Sequence, residues 1–263
     1  MGEAIVITSG KGGVGKTTLS ANLGAALALM GKKTLLLDTD IGLRNLDIIL
    51  GLENKIVYDL VDVCEGTCDF KKAVIRDKRY EGLFLIPAAQ AKDKEAVTPL
   101  QMKSLIDKLK EEFDYIIIDC PAGIERGFEN AVAGADRAIV VAVPEMSSVR
   151  DADRIVGLLE KHGITDVKLV INRIRQKLVE SGNMLSIEDM LDALAIDLIG
   201  AVPDDESVIA AANLGTPCVS DMKSRAGAAY RNIALRVTGE TVDLIDLSEK
   251  KNIFVRILEA IKK

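Results

Sequence analysis

Short apolar runs alternate with segments of helical periodicity along most of the chain, and this alternation predicts its architecture. Runs of consecutive apolar residues are typical of strands that are buried on both faces of a parallel sheet. Apolar residues spaced three and four apart predict amphipathic helices between these strands. We therefore expect an α/β fold, with one mostly parallel, twisted sheet and helices on both faces. The predicted strands are residues 4–8, 34–38, 83–86, 115–119, 137–143, 167–172 and 198–202, and the predicted helices are residues 16–30, 99–112, 127–133, 148–161, 186–194, 205–213 and 225–237.

The length and composition predict one domain with a short appendage. Residues 1–239 are expected to form the domain, followed by a connector at residues 240–249 and a distinct tail at residues 250–263. Only 3% of the residues are aromatic and the net charge is −6, which argues against a protein that binds single-stranded nucleic acid by base stacking. No apolar stretch reaches the roughly 18 residues of a membrane span, and no signal peptide precedes the first strand, so we expect a cytoplasmic protein.

The segment between the first predicted strand and the first predicted helix carries the strongest chemical signal. It matches the template Gly-x4-Gly-Lys-[Ser/Thr], with Gly10, Gly15, Lys16 and Thr17 at the required positions. Such a loop wraps backbone N–H groups around phosphate oxygens, and the following helix adds the positive end of its dipole. Lys16 would reach the β- and γ-phosphates, and the Thr17 hydroxyl would bind Mg²⁺. The predicted nucleotide-binding residues of this loop are Gly10, Lys11, Gly12, Gly13, Val14, Gly15, Lys16, Thr17 and Thr18.

A second template fits the same glycines. Gly10, Gly12 and Gly15 also satisfy the Gly-x-Gly-x-x-Gly pattern of dinucleotide-binding folds, and Asp38 ends the next strand about where a ribose-binding acid would lie. Lys16 favours the triphosphate interpretation, because a dinucleotide site has no use for a lysine followed by a Mg²⁺-binding hydroxyl. We therefore predict a single P-loop NTPase domain.

Carboxylates follow two of the predicted strands. Asp38 and Asp40 lie at the carboxyl end of the second strand, and Asp119 follows three isoleucines on a later one. Ligands bind at this edge of open α/β sheets, so Thr17, Asp38 and Asp119 are predicted to surround Mg²⁺. The backbone of Gly123, in the loop after Asp119, is predicted to contact the γ-phosphate. A plainer alternative is that Asp119 only caps the next helix.

Lys11, a second lysine inside the phosphate loop, leads to a family resemblance. Together with residues 11–17, the segments 40–47, 119–125 and 147–154 resemble the deviant Walker A ATPases of the MinD/ParA family, and within it the septum-site-determining MinD proteins. The resemblance covers nearly the whole chain. It implies ATP as the nucleotide and a homodimer in which Lys11 of each subunit reaches the ATP of the other.

The resemblance also implies roles for further residues. Catalysis would depend on Lys11, Lys16 and Asp40, with Asp40 positioning the attacking water. Asn45 would lie in the first switch near the nucleotide, and the helix from residue 148 to 161 would carry a surface for a MinC-like inhibitor and a MinE-like topology factor. The residues that would flank the adenine are Asn172, Arg173, Pro203 and Asp205, and those of the partner surface are Arg150, Asp151 and Asp153.

The tail, residues 250–263, has an amphipathic pattern. Its five basic residues and one acidic residue give it a net charge of +4, which leaves −10 for the rest of the chain. A basic amphipathic helix on an acidic protein is typical of a segment that binds anionic lipid. An ordinary helix packed on the domain is the alternative. The predicted membrane-binding residues are Lys250, Lys251, Ile253, Phe254, Arg256, Ile257, Leu258 and Ile261.

These expectations combine into a functional hypothesis. ATP would drive dimerisation, paired tails would bind the cytoplasmic face of the cell membrane, and hydrolysis would release a protein that helps to select the division septum. A partitioning ATPase that binds DNA, a flagellar-number regulator and an iron–sulfur reductase component are alternatives. The acidic body disfavours the first of these, and the four cysteines lack the sequence context of the last.

Overall fold

The structure, a computed structural model, describes residues 1–93, 96–124 and 126–248. Eight strands form one sheet in this part of the chain, in the order β3-β4-β2-β5-β1-β6-β7-β8. The strands are β1 (Glu3–Thr8), β2 (Thr34–Asp38), β3 (Ile75–Arg76), β4 (Leu83–Ile86), β5 (Tyr115–Asp119), β6 (Arg137–Ala142), β7 (Val167–Ile174) and β8 (Asp197–Pro203). The helices are α1 (Lys16–Leu29), α2 (Leu46–Ile49), α3 (Leu60–Cys64), α4 (Phe70–Ala73), α5 (Pro99–Leu109), α6 (Arg126–Val132), α7 (Met146–Lys161), α8 (Gln176–Glu180), α9 (Ile187–Leu194), α10 (Glu206–Asn213) and α11 (Arg225–Val237).

The predicted α/β architecture is confirmed, since every described pairing is parallel except that of the edge strand β3 with β4. Each predicted strand and helix is present. The helix predicted for residues 99–112 ends three residues early, at Leu109, because the chain turns there to enter β5. The helix predicted for residues 148–161 begins two residues early, at Met146.

The helices α2, α3, α4 and α8 and the strand β3 were not predicted. Each has five residues or fewer, and isolated helices of this length are unstable in water. Tertiary contacts therefore stabilise them. The N–H of Leu46, the first residue of α2, donates to a carboxylate oxygen of Asp38 at 3.3 Å.

Alternate residues of the central strands face two separate cores. Ala4 and Val6 of β1 pack into the core beneath α5, α6, α7 and α9. Ile5 and Ile7 pack into the core beneath α1 and α11. Since the sheet is covered on both faces, its carboxyl edge is the place where loops from several strands meet.

Residues 240–248 lie along α11. The side chain of Arg236 donates to the carbonyl oxygen of Val242 at 2.6 Å, and Arg225 donates to that of Asp246 at 2.8 Å. Leu244 and Leu247 pack against the core that lies beneath α5, α6, α7 and α9. This segment therefore returns from the end of α11 toward its beginning.

The tail residues predicted to bind the membrane lie outside the described residues, and the division of the chain at residues 239 and 249 stays a prediction. Within the described ranges, no helix combines the length and the apolar character that crossing a bilayer requires.

Candidate functional site

The loop between β1 and α1 has the backbone of a phosphate cradle. Gly13 and Gly15 have φ values of 77° and 104°, a region that L side chains rarely adopt. Gly15 is the N-cap residue of α1, and a Cβ atom there would collide with the side-chain nitrogen of Asn172. The loop therefore requires glycine at this position for both its backbone conformation and its packing.

Lys16 lies at the start of α1, where the helix dipole attracts anions. The residue is buried, and its ammonium group donates to the Ser9 hydroxyl at 3.0 Å. No acidic residue lies in the first turn of α1. A buried ammonium group at a helix N-terminus is suited to bind phosphate, as the motif predicts.

Two buried carboxylates meet at the edge of the sheet beside this loop. Asp38 and Asp119 are paired in the β2–β5 register, and both are buried. Burial raises the pKa of both carboxyls, and repulsion by Asp119 raises that of Asp38 further. The hydroxyls of Thr17 and Ser20 hydrogen-bond to Asp119, that of Ser20 at 2.8 Å.

This donor set fits a divalent cation. Carboxylate and hydroxyl oxygens are the ligands that Mg²⁺ prefers, and a cation would offset the mutual repulsion of two buried carboxylates. The structure brings together the three residues predicted for Mg²⁺, namely Thr17, Asp38 and Asp119. Ser20, which the motif does not include, joins them one helical turn after Lys16.

Asp38 also organises the loop that carries the first switch. Its carboxylate accepts the backbone N–H of Asp40 at 3.0 Å and that of Leu46 at 3.3 Å. Asp40 is half-buried two residues after the end of β2, and Asn45 is exposed at the N-cap of α2. A movement of the Asp38 carboxylate, for instance on binding Mg²⁺, would therefore move the backbone at Asp40 and beside Asn45.

Lys11 points away from the loop's interior. Its ammonium group lies 3.4 Å from a carboxylate oxygen of Glu145 and 3.4 Å from the Ser147 hydroxyl, at the start of α7. The side chain is 45% exposed, and exposed ion pairs stabilise proteins by only about 0–1 kcal/mol. Little free energy therefore holds Lys11 in this position.

The loop after β5 lies against the phosphate loop. A Cβ atom on Gly12 would be 3.7 Å from the Cβ of Ala122, and Gly123 has a φ of 96°. Cys120 is buried, and burial raises the pKa of its thiol to about 12. Cys120 is therefore a packing residue and not a nucleophile.

The residues predicted to flank the adenine come from the ends of β7 and β8. The Asn172 amide donates to the carbonyl oxygen of Val14 at 2.7 Å, so this side chain holds the phosphate loop. Arg173 has a φ of 59°, and Pro203 is buried at the end of β8. The Asp205 carboxylate accepts N–H groups at the starts of α10 and α11, at 2.9 and 3.0 Å.

The predicted partner surface lies on α7, next to the phosphate loop. Arg150 and Asp153 are exposed, whereas Asp151 is half-buried. A Cβ atom on Gly10 would collide with the backbone of Asp151. The beginning of α7 therefore packs directly on the predicted nucleotide-binding loop.

Comparison with known proteins agrees with this geometry. Residues 2–178 match the model of the AAA domain family. The chain is 60% identical over 252 residues to the septum site-determining protein MinD of Bacillus subtilis, covering 95% of this chain and 94% of that protein. It is 54% identical over 253 residues to MinD of Synechocystis, covering 96% and 95%.

Solved structures of high similarity include two from this group. The MinC:MinD cell division protein complex of Aquifex aeolicus contains a chain with a TM-score of 0.88 and 48% identity, covering 94% of this chain and 100% of that one. The MinD protein of Pyrococcus horikoshii complexed with Mg-ADP has a TM-score of 0.82 and 30% identity, covering 90% and 96%.

Fold and site together define a P-loop nucleotide triphosphatase domain. The sequence similarity narrows this class further: the chain belongs to the MinD family of septum site-determining proteins.

Proposed function

We propose that this protein is an ATPase that dimerises on Mg-ATP, binds the cytoplasmic face of the cell membrane and helps to select the division site. The meeting of Lys16, Thr17, Asp38 and Asp119 at one sheet edge carries the proposal. This donor set suits a triphosphate and its cation. Mg²⁺ would neutralise charge on the β- and γ-phosphates.

Hydrolysis of the γ-phosphate requires mainly positioning and charge neutralisation. Lys16, at the helix N-terminus, would bind the phosphates. Asp40 lies two residues after Asp38, on a loop whose backbone N–H groups donate to the Asp38 carboxylate. A half-buried carboxylate in this place can orient a water toward the γ-phosphate, with Gly123 and Asn45 on the adjoining loops.

Dimerisation would bring a second positive charge, in addition to that of Lys16, to the γ-phosphate. The Lys11 side chain is exposed and forms only an exposed ion pair with Glu145. It can therefore turn away from Glu145 and extend toward a second subunit. A second copy facing the same edge would place its Lys11 near the transferring phosphoryl group, in the way that an arginine finger acts. Hydrolysis would then be slow in the monomer and faster in the dimer.

Asp40→Ala is expected to retain Mg-ATP binding but to lower turnover at least about a hundredfold, because water is no longer oriented. The variant should accumulate as an ATP-bound dimer, measured by sedimentation velocity beside a phosphate-release assay. Glu111→Ala, a change of an exposed carboxylate at the opposite edge of the sheet, is the matched control. Wild-type turnover by Asp40→Ala would contradict the water-positioning role.

The tail would attach this dimer to anionic lipid. Each basic residue near the surface contributes about 1 kcal/mol, so one short tail would bind weakly and reversibly. Two tails on one dimer bind with a high effective concentration, which strengthens attachment by roughly a hundredfold or more.

A MinC-like inhibitor would bind the dimer through α7, whose exposed residues include Arg150 and Asp153. A MinE-like factor could use the same helix to stimulate hydrolysis.

Phe254→Glu is expected to reduce co-sedimentation with anionic phospholipid vesicles at least about tenfold, since an inserted phenyl ring contributes about 1.5–3 kcal/mol. Phe254→Leu, which keeps an apolar side chain, should sediment nearly as the wild type does. Soluble ATP binding should be unchanged in both variants. Equal sedimentation of all three proteins would contradict the membrane-binding role and favour the alternative, a helix packed on the domain.

A further inference from the structure

Arg79 joins two helices that begin at opposite ends of the predicted nucleotide site. Its guanidinium group makes a bidentate contact to Asp77, with nitrogen–oxygen distances of 3.1 and 2.7 Å. It also donates to the carbonyl oxygen of Leu50, to that of Gly215 at 2.7 Å, and to the Thr216 hydroxyl at 3.1 Å. We name these five residues, together with Gly51, the Arg79 joint. The five contacts match the five N–H donors that a guanidinium group carries.

Asp77 fixes the guanidinium in place. The Asp77 side chain is 1% exposed. Burial raises the pKa of its carboxyl, but the hydrogen bonds from Arg79 outweigh this effect and hold that pKa below its ordinary value. Bidentate arginine–carboxylate pairs are strong and geometrically specific. The guanidinium is therefore an anchored group and not a free surface charge.

The two backbones that Arg79 bridges cross in close contact. Gly51 and Gly215 have φ values of 58° and 63°. A Cβ atom on Gly215 would lie 2.8 Å from the Cα of Gly51, and one on Gly51 would lie 3.1 Å from the carbonyl oxygen of Gly215. The joint thus holds the end of α2 directly against the end of α10.

The other ends of these helices lie at the site. The first residue of α2, Leu46, donates to Asp38, and the predicted switch residue Asn45 immediately precedes it. The N-cap of α10 is Asp205, which is predicted to lie beside the adenine. At 1.5 Å per residue, α2 spans about 6 Å and α10 about 12 Å. A displacement at the joint would move both ends.

From this geometry we infer that Arg79 is a positioning residue for ATP hydrolysis. It fixes the position of α2, which follows the predicted switch residue Asn45, relative to α10, which begins at Asp205 beside the predicted adenine site. The inference rests on the proposed ATPase function and adds a residue that touches neither the phosphates nor the metal. Its consequence is that one substitution should alter both the rate of hydrolysis and the discrimination between bases.

Arg79→Lys tests this inference, because lysine keeps the positive charge but cannot bridge five acceptors. We expect kcat for ATP to fall about tenfold, and the ratio of kcat/KM for ATP over GTP to fall about threefold or more, since charge-assisted hydrogen bonds are lost on both helices. Assays at a temperature where circular dichroism shows a folded variant separate positioning from unfolding.

Two further variants complete the experiment. Arg76→Lys is the control, because Arg76 is exposed and its contact to the exposed Glu81 is 3.7 Å long. Thr216→Val removes one acceptor of Arg79 and leaves the Arg79–Asp77 pair intact. It should lower kcat for ATP and the ATP/GTP ratio of kcat/KM, each by a smaller factor than Arg79→Lys does. It provides the test should Arg79→Lys fail to fold.

The outcomes are distinguishable. Absence of ATP hydrolysis by the wild type would refute the proposed function. Wild-type hydrolysis with kcat or the ATP/GTP ratio unchanged in folded Arg79→Lys would overturn the inference. If that variant does not fold, wild-type values in Thr216→Val would overturn it.

Discussion

Lys16→Ala should weaken Mg-ATP binding at least about a hundredfold, since hydrogen bonds to charged groups contribute about 1.5–3 kcal/mol each and Lys16 would make more than one. The ammonium group is buried beside the Ser9 hydroxyl at the first turn of α1. Without it, the phosphate loop of the same subunit would offer the phosphates backbone N–H groups and the helix dipole but no ammonium group at the helix N-terminus. Isothermal titration calorimetry with Mg-ATP measures the loss directly.

The control for this prediction is Lys92→Ala. Lys92 forms an exposed ion pair with Glu65 at 3.3 Å, and such pairs contribute little to stability. Its removal should leave Mg-ATP binding unchanged. Tight binding of Mg-ATP by folded Lys16→Ala would refute the assignment of the phosphate loop.

Lys11→Ala is expected to act on turnover instead of on binding. A cation supplied in trans to the γ-phosphate accelerates hydrolysis by about 10³–10⁵-fold in related mechanisms, so turnover should fall by about a thousandfold. Because the Lys11 side chain is exposed and its described hydrogen bonds go to Glu145 and Ser147, outside the phosphate loop, Mg-ATP affinity should change by no more than about threefold. Phosphate release and calorimetry measure the two quantities.

A mixing experiment separates action in trans from action within one subunit. Lys11→Ala and Asp40→Ala are each expected to be inactive. In an equal mixture, half of the dimers carry both variants, and each of these has one complete site if Lys11 acts across the interface. Turnover should then recover to about a quarter of the wild-type value for a two-fold symmetric dimer. No recovery on mixing would mean that Lys11 does not act in trans.

The strands and long helices could be predicted because their signals are local. Three consecutive isoleucines before Asp119 indicate a buried strand, and Gly31 and Gly163 mark helix ends at which φ is 80°. The short helix α2 has no such signal. It depends on a hydrogen bond from Leu46 to Asp38, and on Arg79, which lies far along the chain.

The site was predictable to the extent that it consists of motifs. Lys16, Thr17, Asp38 and Asp119, which the motifs single out, lie at the carboxyl edge of the sheet. The bond from Asn172 to the carbonyl oxygen of Val14 joins residues 158 positions apart, and no local pattern encodes it. Ser20 likewise meets Asp119 only because α1 packs over β5. The residue-by-residue roles that the family resemblance implies stay predictions.

The central claim is that Mg-ATP causes two copies of this chain to dimerise through the carboxyl edge of the sheet. Sedimentation velocity of the wild type with Mg²⁺ and ATP, with Mg²⁺ and ADP, and with Mg²⁺ alone tests it most directly. The account predicts a species of twice the monomer mass with ATP and a monomer in the other two samples. The same mass in all three samples would contradict it.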